Sequence, residues 1–145
     1  MIDLRPVLYV IGLLVAALGA AMLIPLGADL IFESGEAAVF ATAALLTLAA
    51  GGSVALATAN SRAGGLTLQQ TFLLTVGVWL ALPVFGAIPF MLGERPLDLT
   101  DAFFEAMSGL TTTGSTVIPD IEALSTGKLL WRGLLQWFGG IGIIV

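Results

Sequence analysis

The stretch Gly109-Leu110-Thr111-Thr112-Thr113-Gly114-Ser115-Thr116 concentrates the chemistry of this chain: four threonines, a serine and two glycines in eight residues. What these groups offer is oxygen. Extended backbone through such a stretch can turn carbonyl oxygens toward an axis, where they replace the hydration shell of a cation. Gly114 adds backbone freedom that a side chain would restrict. The threonine hydroxyls can pack or hydrogen-bond behind the strand and hold it open. On composition alone, a Thr/Gly/Ser cluster between apolar segments also reads as an external loop. The elements on either side therefore decide its meaning.

Those elements are membrane-like. The 145 residues are 58% hydrophobic and 10% charged, with a mean hydropathy of +1.05, outside the range of ordinary soluble domains. Without cysteine there is no disulfide framework or thiolate metal site. Without histidine the usual transition-metal ligand and general base are missing too, and no enzyme is expected. The net charge of -5 comes from ten acids and five bases, which excludes a basic nucleic-acid surface and points to cations as partners.

Three apolar runs, Val7 to Phe32, Ala37 to Ala59 and Phe72 to Leu92, are long enough at about 1.5 Å per residue to cross a hydrocarbon core of roughly 30 Å. The first follows Arg5 and contains Gly19-Ala20-Ala21, features of a secretory signal. It runs on past the length of a signal core, so a retained anchor is expected. Glu33-Ser34-Gly35-Glu36 reads as a tight polar turn joining the first two helices in a hairpin, and Asn60 to Gln70 as a polar loop. Gly51-Gly52-Ser53 gives the second helix a small-residue face for close packing, and Pro83 and Pro89 predict a kink in the third. Asp29 is expected at a solvated helix end.

After Leu92 the pattern changes. Asp101 to Leu110 predicts a short helix, N-capped by Thr100, with Phe103, Phe104, Met107 and Leu110 on one apolar face. Ten residues give only about 15 Å, half a bilayer. Such a helix enters the membrane without crossing it, and its negative C-terminal end favours a cation near the membrane centre. A half-length helix, then threonines and glycine, then a polar return through Ile118-Pro119-Asp120, is the pattern of a re-entrant pore loop. Physics alone leaves that reading and the ordinary loop both open.

Asp101-Ala102-Phe103-Phe104-Glu105, the Ser108 to Gly114 run, and Leu135-Gln136-Trp137-Phe138-Gly139-Gly140-Ile141-Gly142-Ile143-Ile144-Val145 together closely resemble the TrkH family of potassium-uptake subunits in the Trk/Ktr/HKT superfamily. The resemblance extends over the whole chain. It implies an all-α membrane protein: two N-terminal transmembrane helices (residues 1–66), then an incomplete helix–pore-loop–helix unit of a potassium-channel-like pore (residues 67–145). The family builds its pore from four such units in one polypeptide, so the chain is expected to be an N-terminal fragment ending within the second helix of the first unit. By position, the resemblance implies a selectivity filter at Thr112, Thr113, Gly114 and Ser115, with Thr111 at its inner approach and K+ held at Thr112, Thr113 and Gly114. It further implies potassium as substrate with no covalently bound cofactor, a cytoplasmic nucleotide-binding TrkA-type partner, a homodimer of the full-length protein, and a multi-pass location in a bacterial inner membrane. Family members are described both as channel-like and as cation-coupled symporters.

Charge and aromatic placement complete the expectations. The family orientation puts the N-terminus, Arg5 and Arg62 inside, and Arg95, Lys128 and Arg132 on the other side, a count that the positive-inside rule does not decide. Glu94, Asp98, Asp101, Glu105, Asp120 and Glu122 would surround the outer vestibule and concentrate cations. Alternatively, Glu105 and Arg132 pair and brace the pore helix against the helix that follows. Trp131, Trp137 and Phe138 fit an interfacial belt, and Gly139, Gly140 and Gly142 would bring the last helix close to the pore helix. The competing functions are a small non-transporting membrane scaffold and a cation channel assembled from several chains. A Gly114→Ala substitution separates a pore from a scaffold.

Overall fold

The structure, a computed structural model, describes residues 3–61 and 65–144. The expected loop residues Arg62, Ala63 and Gly64, the assignment of Arg62 to the inner side, and Val145 lie outside the described residues. Among the described residues every regular element is helical.

Helices α1 (Arg5–Ala21) and α2 (Leu23–Ile31) form the first apolar span, α3 (Ala37–Ala57) the second, and α4 (Leu68–Gly86) with α5 (Ile88–Met91) the third. These spans of 27, 21 and 24 residues are long and apolar enough to cross a membrane. Helix α4 starts at Leu68, four positions before the expected Phe72, because Thr67 and Gln70 form a reciprocal capping box. Prolines mark the interruptions. Pro25 removes the amide that would bond Ala21 O, and α1 stops at Ala21. Pro83 is carried within α4, but at Pro89 the ladder shifts and Phe90 N–H bonds Ala87 O at 2.9 Å instead of Gly86 O. Gly86 O then accepts the Trp131 indole N–H at 2.9 Å.

In lipid, helix association depends on close packing and not on removal of apolar surface from water. At the α1–α3 crossing, a Cβ on Gly12 would lie 2.7 Å from Ala55 N, and one on Gly51 would strike the Ala16 backbone. Gly51 is therefore the packing residue of the small-residue face, whereas Gly52 has open space beside it.

Helix α6 (Leu99–Leu110) is the short helix, and α7 (Thr126–Ile144) the last. The N-cap of α6 is Asp98, whose carboxylate accepts from Asp101 N at 2.8 Å. Thr100, the expected cap, lies inside the first turn; the ionised side chain of Asp98 also suits the positive helix end better. Twelve residues make α6 about 18 Å long.

The N-terminal helices grip the start of α7 through buried polar groups. Asp29 is 1% exposed, not at a solvated end, and its Oδ1 accepts Gly127 N–H at 2.7 Å. Any side chain at Gly127 would collide with the Asp29 carboxylate. Glu36, at the end of the expected polar turn, is drawn inward, where its Oε1 accepts from Lys128 Nζ at 3.1 Å and from Glu94 N at 2.8 Å. Trp131 is fully buried against Phe40 in an edge-on contact, so it belongs to the core and not to an interfacial belt. Trp137 remains 62% exposed.

Candidate functional site

Helix α6 turns inward a face of small residues and not the expected one: Ala102, Ala106 and Leu110 are buried in the same core as Trp131 and Leu135 of α7. Phe103 and Met107 are half-buried and Phe104 is exposed, because close helix packing here needs small side chains. Two glycines set the distance between the helices. A Cβ on Gly109 would lie 2.9 Å from Leu135 Cβ, and a Cβ on Gly139 would clash with the Leu110 carbonyl. Gly140 is only at the edge of contact with Thr112, and Gly142 touches nothing, so of the three expected packing glycines Gly139 alone meets α6 tightly.

This packing fixes where α6 ends. The helix closes at Thr111, whose N–H bonds Met107 O at 2.8 Å. Thr112 then takes a left-handed backbone with φ +57°, a strained conformation for a β-branched residue. The amides of Thr113 and Gly114 both turn back to Ser108 O, at 3.0 and 3.2 Å. Gly114 has φ +75°; a side chain there would meet Gln136 Nε2 at an ordinary 3.6 Å. Glycine is thus demanded by the dihedral and not by space.

With the amides directed at α6, the carbonyls of Thr111, Thr112, Thr113 and Gly114 accept no hydrogen bond from the described residues. The hydroxyls of Thr111 and Thr113 stay on the helix side. Thr111 Oγ1 donates to Met107 O at 2.8 Å and pairs with Thr113 Oγ1 at 2.8 Å. Ser115 differs from its neighbours, since its carbonyl accepts the Ser108 hydroxyl at 2.7 Å. Residues 112–116 are exposed. The arrangement is a short run of unpartnered carbonyl dipoles beside the negative end of a helix, a setting that suits a partly dehydrated cation. Among the described residues no acidic or histidine cluster could hold a metal ion as a resident group.

The charged residues divide. Glu105 is 1% exposed and bonds Arg132 Nε through Oε2 at 3.0 Å, so it is the partner of α7 and not one of the vestibule acids. Glu94, Asp98, Asp120 and Glu122 are exposed, and Asp101 is half-buried in the first turn of α6. Sequence reasoning missed Ser108, which serves the loop with both its carbonyl and its hydroxyl. A hydroxyl residue one turn before the end of a short apolar helix is the signal that could have marked it.

A family model described as "TrkH: Cation transport protein" matches residues 36–145. The chain is 39% identical over 142 residues to the Trk system potassium uptake protein TrkH of Escherichia coli strain K12, covering 97% of this chain and 29% of that one. It is 40% identical over 140 residues to the Trk system potassium uptake protein TrkI of Halomonas elongata, covering 97% and 28%. The crystal structure of the potassium transporter TrkH from Vibrio parahaemolyticus matches with a TM-score of 0.92 at 35% identity, covering 99% of this chain and 31% of that one. The chain thus spans less than a third of the length of these relatives.

Proposed function

The chain belongs to the TrkH family of cation transport proteins, and we propose that it contributes one of four filter segments to a potassium-uptake pathway. In this reading K+, as substrate, sheds water against the carbonyls of Thr112, Thr113 and Gly114, with Thr111 at the inner approach. Ser115 closes the segment, its carbonyl being held by Ser108. The observation that carries the reading is the set of four successive carbonyls left without a donor among the described residues, directly after a half-length helix.

The same reading includes a multi-pass place in a bacterial inner membrane, a cytoplasmic nucleotide-binding TrkA-type subunit that controls opening, and a homodimer of the whole protein. Asp101 and the exposed acids Glu94, Asp98, Asp120 and Glu122 raise the local cation concentration at the outer mouth. Glu105 and Arg132 support the pore helix from behind.

The test is a chimaera in which this chain replaces the matched segment of the Vibrio parahaemolyticus transporter. Expressed in Escherichia coli cells lacking their own potassium uptake, it should restore growth at limiting potassium. A chimaera that reaches the membrane folded yet takes up no potassium would count against the reading.

A further inference from the structure

We propose that Glu105 is a positioning residue that sets ion discrimination by anchoring the outgoing end of the carbonyl run, an inference that rests on the filter reading above. Its carboxylate serves three donors. Oε1 accepts the Thr116 hydroxyl and the Val117 N–H, the latter at 2.7 Å, and Oε2 accepts Arg132 Nε at 3.0 Å. Thr116 Oγ1 in turn accepts Ile118 N–H at 3.0 Å, so the tie extends along the strand.

Glu105 and Ser108 lie three residues apart on α6 and therefore on one face. Ser108 holds the near end, through Thr113 N, Gly114 N and the Ser115 carbonyl, and Glu105 holds the far end at Thr116 and Val117. Ser108 thus holds the peptide units that carry the Thr112 and Thr113 carbonyls, and the Gly114 carbonyl ends the run just ahead of the strand that Glu105 secures. An ionised carboxylate only accepts hydrogen bonds, which is what three converging donors require. The guanidinium of Arg132, 15% exposed on α7, supplies the opposing charge for a carboxylate that is itself wholly covered. A glutamine at position 105 keeps the shape but turns an NH2 group toward one of the donors. The outgoing strand is then released, and carbonyls free to move inward accommodate a smaller cation as well as potassium.

Two measurements on the purified chimaera test this. In proteoliposomes, Glu105→Gln should lower the preference for K+ over Na+ uptake by about tenfold, the scale of one lost charged hydrogen bond. Glu36→Gln, which removes the remote ion pair, should reduce the amount of folded protein and leave the ratio as it was. Amide hydrogen exchange does not depend on transport, so it separates this proposal from the filter reading. In Glu105→Gln the Val117 amide should exchange at least about tenfold faster while the α6 amides keep their rates. A parent chimaera that takes up no potassium would refute the filter reading and with it the specificity role, leaving Val117 exchange to decide the anchor. An unchanged ion ratio overturns the specificity role, unchanged exchange at Val117 overturns the anchor, and a rise in exchange throughout the molecule makes Glu105 a general support of the fold and overturns the proposal.

Discussion

Among the described residues two acid–base pairs are sunk into the fold, both ending on α7, and they do different work. Glu36–Lys128 is almost wholly covered, with side chains 9% and 2% exposed, and joins the N-terminal helices to the start of α7. Glu105–Arg132 couples a fully covered carboxylate to a guanidinium 15% exposed, beside the strand of free carbonyls. At the first pair the third member is Glu94 N, in the loop before α6; at the second it is the strand after α6. One pair therefore fixes where α6 and its loops sit against the first two helices, and the other fixes how the chain leaves α6. The chemistry is shared, but one pair bears on assembly and the other on geometry at the site.

The largest way to sharpen that contrast is Lys128→Met. It strands Glu36 without its ammonium partner, leaving hydrogen bonds from Glu94 N and Ser125, and should cost about 3–5 kcal/mol in equilibrium unfolding from mixed micelles. A loss comparable to that of a surface substitution would mean that water reaches the pair and that the N-terminal helices do not grip α7 in this way.

A smaller effect is expected where α7 crosses the end of α6. Gly139→Ala pushes a methyl against the Leu110 carbonyl and should destabilise by about 1–3 kcal/mol, while Gly142→Ala, with open space beside it, should stay within about 0.5 kcal/mol. Equal effects from the two would place the α6–α7 contact elsewhere.

The smallest expected effect is the acid response of the Glu36–Lys128 pair. Burial pushes the Glu36 carboxyl up, but the Glu94 amide, the Ser125 hydroxyl and the Lys128 ammonium outweigh it, and the group is held below its ordinary value of 4.5. A depressed carboxylate stabilises the fold fully above its unfolded value and loses that contribution as pH falls through the folded one. Unfolding temperature should therefore be level above about pH 5 and fall in acid, and Glu36→Gln should remove part of the fall. A variant with the full acid response would assign it to other carboxylates.

Much of this was legible in the sequence because it is local. Run length gave the three spans, and the half-length helix followed from where apolar spacing begins and stops. The Glu105–Arg132 pair was within reach because an acid on α6 faces a base on α7. What escaped depends on partners far away in sequence. Asp29 meets Gly127 across 98 positions, and Lys128 meets Glu36 across 92. No local pattern encodes such pairings, although a charge set among apolar residues near a membrane does require a partner. Trp131 looked interfacial by type, but it packs in the core against Phe40 and its indole N–H is satisfied by the carbonyl freed at Gly86. The left-handed turn at Thr112 was hidden because a β-branched residue gives no sign of it.

The most direct test of the central claim, that the carbonyls of the Thr-rich segment face the ion, is the ratio of K+ to Na+ uptake by the chimaera and its Gly114→Ala variant at equal amounts in the membrane. Gly114 sits at φ +75° with room beside it, so alanine changes the backbone and little else. The predicted result is a collapse of potassium preference in a variant that still folds. Undiminished, potassium-selective uptake by Gly114→Ala would contradict the account and return the segment to an ordinary loop.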